Sequence, residues 1–149
     1  MANEIIQATE LIPPPDTTPI VDEVVIPRVV VASQWQWSFQ YTDPEFALPD
    51  GSPLTSKELH MPVGRKVGFL LQSPDVIHSF WVPKLAGKLD VIPGRNNQLR
   101  FDAQEPGTYS GQCAEFCGIG HPAMRFTVIA QTEDDFQAWA LEEMNAQAQ

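Results

Sequence analysis

From residue 24 to residue 131 the chain reads as a succession of short apolar runs, each cut off by proline, glycine, aspartate or asparagine. The runs are VVIPRVVVA, WQWSFQY, KVGFLLQS, HSFWV, NNQLRFDA, GTYSGQ and MRFTVIAQ, with turn signals such as LPDGSP, IPGR and EPGT between them. Runs of this length, rich in β-branched and aromatic residues, predict strands of an antiparallel sandwich or barrel. The second run is the most regular. Trp35, Trp37, Phe39 and Tyr41 alternate with Gln34, Gln36, Ser38 and Gln40, the period of a half-buried strand with one aromatic face. Pro93-Gly94 has the residue order of a type II turn, with glycine where φ must be positive. Only the end of the chain has a helical period. In TEDDFQAWALEEMNAQ, Thr132 stands as a cap with Asp135 three residues on, and three acids fill the first turn. Phe136, Trp139, Ala140 and Met144 then recur on one side, a face suited to packing against the strands.

This pattern divides the chain into a flexible, proline-rich N-terminal arm (1–23), an all-β domain (24–131) and a C-terminal helix packed on it (132–149). A length of 149 residues suits one domain with a single core, and the 14 prolines disfavour a helical bundle. The net charge of −10 changes the picture little, because it sits at the ends. Five acids lie in the first 23 residues and five more after residue 132, while residues 28–125 carry nine acids and all nine basic residues. No cluster of lysine and arginine exists to hold nucleic acid. No apolar run reaches the 18 residues of a membrane-spanning helix, and the opening MANEIIQATE lacks the basic and apolar regions of a signal peptide.

The candidate chemistry is concentrated in GQCAEFCGIGHPAM, residues 111–124. It holds both cysteines, one of the three histidines and one of the four methionines. Cys113, Cys117 and His121 are spaced for one face of a helix, but Gly111, Gly118, Gly120 and Pro122 interleave with them and favour a loop between two strands. A disulfide and a zinc site are the competing readings. Two cysteines alone suit a disulfide outside the cytoplasm. Zinc wants a fourth ligand that thioether supplies poorly. Thiolate, imidazole and thioether together suit copper. A single-copper site uses one cysteine, so the second points to two bridging thiolates and two copper ions. Such a site needs another histidine, either His78 or His60, and a lone His60 reads as a surface residue.

Cys113-Ala-Glu115-Phe-Cys117-x3-His121-x2-Met124, preceded by DVIHSFWVPKLAGKLDVIPGR and by QWQWSFQYTD, resembles the CuA domain of cytochrome c oxidase subunit II. The resemblance covers the chain from about residue 24 onward. It implies a cupredoxin-like Greek-key β-sandwich or barrel in which Cys113 and Cys117 bridge two copper ions. His78 and His121 would each bind one of them, with the Met124 thioether and the Glu115 carbonyl as weak ligands. It further implies that Trp35 takes up electrons from a cytochrome c-type donor. The Glu115 side chain, Asp90 and Arg95 would face subunit I, where Glu115 helps bind magnesium in the full complex. Docking acids are expected at Asp43, Glu45, Asp50 and Asp75 rather than in the tails. Members of the family normally begin with two transmembrane helices. Their absence suggests a soluble fragment cut after the second helix, its parent anchored in the membrane with this domain in the periplasm or an equivalent outer compartment. The copper domain of nitrous oxide reductase, which typically has tryptophan between its cysteines, and a copper-delivery protein are the alternatives.

Overall fold

The structure is a computed structural model that describes residues 14–18 and 26–149. Among the described residues ten strands run β1 (Ile26–Ser33), β2 (Gln36–Tyr41), β3 (Leu54–Ser56), β4 (Leu59–Pro62), β5 (Val67–Gln72), β6 (His78–Trp81), β7 (Leu89–Val91), β8 (Asn97–Phe101), β9 (Gly107–Cys113) and β10 (Arg125–Gln131), followed by helix α1 (Glu133–Gln147). They form two five-stranded sheets, ordered β3-β2-β1-β5-β8 and β4-β10-β9-β6-β7. All seven expected runs are strands; β3, β4 and β7 are additions. Most pairings are antiparallel, as expected, but β1–β5 and β4–β10 are parallel. Parallel partners need long connections, and these arise because the chain passes to the second sheet at β4 and back at β5. Most of the expected arm lies outside the described residues. Asp16, which is described, bridges to Arg100 and bonds it through backbone and carboxylate.

The two sheets bury their facing side chains. Val30, Phe39, Tyr41, Phe69, Leu71 and Leu99 from the first meet Phe80, Phe126 and Val128 from the second. Aromatic rings dominate the middle: Phe80 stacks on Phe126 at 5.3 Å between centroids, and Trp37 lies 4.9 Å from Phe126. Such pairs add about 0.5–1.5 kcal/mol each beyond the area they bury. Gly111 makes room for this cluster, since a Cβ there would meet the Phe126 ring at 2.2 Å.

Helix α1 closes one end. Thr132 Oγ1 accepts the Asp135 amide at 3.2 Å, and Phe136 and Ala140 are buried. Here one expectation is corrected. His60 is a buried residue, not a surface one: its ring stacks on Trp139 at 3.8 Å, nearly parallel at 7°. It is buried because β4 pairs with β10 and α1 covers both. Its Nδ1 contacts Gln131 Oε1 at 3.0 Å, and its amide donates to the Tyr41 hydroxyl at 2.8 Å. This histidine serves the helix.

Candidate metal centre

The other end of the sandwich holds the cysteine loop. Strand β9 ends at Cys113 and β10 begins after Met124, so the loop between them starts and finishes on neighbouring strands. The Cys113 amide donates to the Met124 carbonyl at 3.0 Å and closes the loop at its neck. The Ala114 amide donates to the Ser79 carbonyl at 3.1 Å and moors the loop to β6. Inside it the chain turns tightly, with His121 N–H on Gly118 O and Met124 N–H on His121 O, each at 3.1 Å. Gly118 has φ of +123°, a conformation that side-chain-bearing residues rarely adopt.

These turns gather the donors. The Cys113 and Cys117 sulfurs are 3.6 Å apart, far beyond the roughly 2.05 Å of a disulfide, and both are free. His78 Nδ1 lies 3.9 Å from Cys113 Sγ, and His121 Nδ1 lies 3.5 Å from Cys117 Sγ. Met124 Sδ is 3.7 Å from Cys117 Sγ, and the Glu115 carbonyl is 3.2 Å from Cys113 Sγ. One donor atom each from His78, Cys113 and Cys117 lies within 4.8 Å of the others. His78, Cys113, Cys117 and Met124 are buried, while His121 is half-buried. A cavity of about 130 Å³ reaches the cluster between Gln112, Cys113, His121, Pro122, Met124 and Arg125. Burial, reinforced by the hydrogen bond and proximity to Cys113, pushes the Cys117 thiol up to about 12. Such a thiol ionises near neutral pH only against a compensating cation. The chemistry of this donor set fits a soft metal ion.

Asp75 completes the environment of His78. Its Oδ1 lies 2.9 Å from His78 Nε2, which leaves Nδ1 facing the sulfurs. Its Oδ2 accepts the Gln34 amide at 2.8 Å, and Oδ1 also accepts the Val76 amide. Burial alone would raise this carboxyl, but the bonds from Gln34, His78 and Val76 outweigh it and hold the group down to about 2. A carboxylate behind a ligating imidazole fixes ring orientation and raises ligand basicity. The sequence signal for this was Asp-x-x-His in PDVIH, where a loop lets the carboxylate turn back on the ring.

Trp35 sits in the β1–β2 turn with 43% of its surface exposed. Its indole N–H donates to the Cys117 carbonyl at 3.2 Å, and Gln34 Nε2 donates to the same oxygen at 3.0 Å. The ring rests on Gly118 and Gly120, close enough that a Cβ on Gly120 would meet it at 2.4 Å. Val76, Ile77, Phe116 and Ile119 are also exposed, two before His78 and two within the cysteine loop.

Of the four expected docking acids, only Asp75 stands against the cluster. Strand β2, about 20 Å long at 3.3 Å per residue, separates Trp35 from Asp43. Asp43 bonds the buried Arg28 guanidinium at 2.9 Å. Glu45 lies beyond it on the turn Pro44–Phe46, and Asp50 caps the Ser52 amide in the next loop. A cavity of about 430 Å³ lies there too, lined in part by Asp43, Glu45 and Phe136 and by none of the soft donors. Asp90 is on β7 opposite Ser79, the Arg95 side chain is exposed in the turn after it, and the Glu115 side chain is exposed on the loop.

A two-sheet sandwich with buried cysteine, histidine and methionine gathered at one end defines a cupredoxin-like domain with a candidate metal site. Residues 26–132 match the family "cytochrome C oxidase subunit II, periplasmic domain", and the chain belongs to that family. Cytochrome c oxidase subunit 2 of Alkalihalophilus pseudofirmus is 39% identical over 134 residues, covering 90% of this chain and 37% of that protein. The subunit 2 of Thermostichus vulcanus is 46% identical over 110 residues, covering 74% and 31%. The chain therefore spans about a third of these relatives. Among solved structures, the periplasmic domain of cytochrome oxidase subunit II from Bradyrhizobium japonicum superposes with a TM-score of 0.72 at 26% identity, covering 85% of this chain and 98% of that one. Among the described residues no helix is long and apolar enough to cross a membrane.

Proposed function

We propose that this domain carries a dinuclear copper centre of the CuA type and transfers electrons one at a time. The observation that carries the reading is the pairing at the cluster: two sulfurs 3.6 Å apart, each with an imidazole nitrogen of its own. Cys113 and Cys117 would bridge the pair, His78 and His121 would each complete one ion, and the Met124 thioether and Glu115 carbonyl would supply weak contacts. Copper held this way supplies reversible one-electron chemistry. The protein's part is to hold the donors still and keep water out, which the loop bonds and the burial of four donors favour. On this reading the domain by itself is an electron carrier. Burial also speaks against a delivery protein, which has to expose its ligands.

In the full protein this domain would accept electrons from a cytochrome c-type donor at Trp35. The exposed ring bonded to the Cys117 carbonyl supports that role. It would pass them to the haem-copper subunit I, where oxygen is reduced to water. Glu115, Asp90 and Arg95 would face subunit I, with magnesium at Glu115 in the complete complex, and the parent would be anchored in the membrane by segments outside this chain. Copper titration with electron paramagnetic resonance tests the centre. Two ions per chain with the unpaired electron shared between both nuclei is expected, and Cys113→Ser or Cys117→Ser should abolish that signal. One ion per chain with a single-nucleus pattern would sink the dinuclear reading.

A further inference from the structure

Met124 is 1% exposed, and its carbonyl is bonded twice. One donor is the Cys113 amide at the neck of the loop, at 3.0 Å. The other comes from the opposite sheet: Trp37 Nε1 at 3.3 Å. Trp37 is 3% exposed and packs against two rings, Phe80 at 5.9 Å and 68° and Phe126 at 4.9 Å and 57°. An indole N–H buried this deeply needs an acceptor, and it finds one on the backbone of a donor residue rather than elsewhere in the core. Phe39, two residues along the same strand and on the same face, packs on Phe126 at 5.3 Å and has no polar atom in its side chain to bond with. The two residues share Phe126 as a neighbour, but only Trp37 bonds the Met124 carbonyl.

We propose that Trp37 is a positioning residue for the metal centre. Together with the Cys113 amide it pins the Met124 carbonyl, and through that carbonyl it sets where the Met124 thioether stands above the sulfurs. The proposal rests on the copper reading above and deepens it. A thioether binds copper weakly, so its distance from the metal is decided by the protein scaffold more than by the bond, and that distance tunes the potential. A strong ligand would tolerate a loose backbone, because the bond itself would restore the geometry. Met124 has no such correction. The backbone of Met124 is held within the loop by the neck bond and by its own amide on the His121 carbonyl, and the Trp37 bond adds the one hold that comes from the opposite sheet.

The test compares three variants with the parent: Trp37→Phe, Trp37 replaced by the isosteric β-(3-benzothienyl)alanine, which keeps the ring shape but lacks the N–H, and Phe39→Leu. Each is loaded with copper, and melting temperature, metal count, midpoint potential and the resonance spectrum are recorded. Both Trp37 variants should shift the potential and change the copper hyperfine pattern. Phe39→Leu should lower the melting temperature and leave both readings at the parent's values. In the metal-free parent, the Trp37 indole proton should exchange with solvent on the order of tenfold more slowly than that of Trp35. Trp37 variants that superpose on the parent would overturn the proposal, and so would an equal shift in Phe39→Leu, which would reduce the effect to packing. Rapid exchange of the Trp37 indole proton would do the same. Should Trp37→Phe fail to fold, the isostere decides by the same criteria. A parent that does not take up two copper ions would count against the copper reading, while the exchange measurement would still judge the Trp37 bond.

Discussion

Replacing Gly120 with alanine separates the stability of the fold from its proposed electron path. Gly120 has φ of −82°, so alanine adopts its backbone conformation without strain. The obstacle is Trp35, whose Cγ and Cδ2 would lie 2.4 Å and whose Cβ would lie 2.9 Å from the new methyl. These atoms are at the root of the side chain, so a rotation of the indole does not clear them and the β1–β2 turn has to move away from the loop. That movement breaks the bonds of Trp35 Nε1 and Gln34 Nε2 to the Cys117 carbonyl, each worth about 1 kcal/mol net, and adds about 1 kcal/mol of lost ring contact and strain. Restricting the unfolded chain returns up to about 1 kcal/mol. The net cost is about 2 kcal/mol, or about 8 °C in melting temperature for a domain of this size. None of the six donors is displaced directly, so copper should still bind at the parent's stoichiometry. Reduction by a cytochrome c-type donor, followed by stopped flow at several ionic strengths, should slow because Trp35 no longer touches the loop. An unchanged rate together with an unchanged melting temperature would show that the turn accommodates the methyl and that the contact does not matter.

Two further outcomes test the other end of the molecule. Asp43→Ala leaves the Arg28 guanidinium, 1% exposed, without its carboxylate; removing one partner of a buried pair costs roughly 3 kcal/mol, read as a loss in thermal melting with little change in copper binding. Burial lowers the pKa of His60 below 6.5, against the opposing effects of Gln131, Glu58 and Glu143. The unfolded chain thus takes up the proton more readily, and stability from this site, complete above about 6.5, falls as pH drops toward the lower folded value. Melting temperatures between pH 8 and 5 should decline less steeply in His60→Gln than in the parent, and parallel curves would refute the assignment.

The fold was legible where a strand shows its period. Trp37, Phe39 and Tyr41 point inward from β2 while Gln36, Ser38 and Gln40 do not, and the alternation is visible in the letters. Strands β3 and β7 have three residues each, too few to display any period, and the four residues of β4 are all buried and end in Pro62. The same holds for the site. The loop donors could be read because they lie close in sequence, while His78 was one of two candidate histidines until the resemblance favoured it. Distant contacts were not readable: the bond from the Gln34 amide to Asp75 and that between Arg28 and Asp43 join residues far apart in the chain, and the letters offered both acids only as docking candidates. His60 looked exposed because nothing in its local sequence announces that α1, more than seventy residues later, would cover it.

The shared acceptor at Cys117 has a mechanical consequence. The β1–β2 turn belongs to one sheet and the cysteine loop to the other, so any relative motion of the two sheets would act on the contact between them. At this end two side chains are stitched to a single carbonyl, and the Asp75 carboxylate ties the same turn to His78. These bonds restrain the gap between the indole and the sulfurs. Tunnelling falls off exponentially with distance, so a gap that wandered would give each molecule a different rate from moment to moment. On the reading that Trp35 admits the electron, clamping the gap gives the population one rate, which appears as a single exponential in reduction kinetics rather than a spread of them.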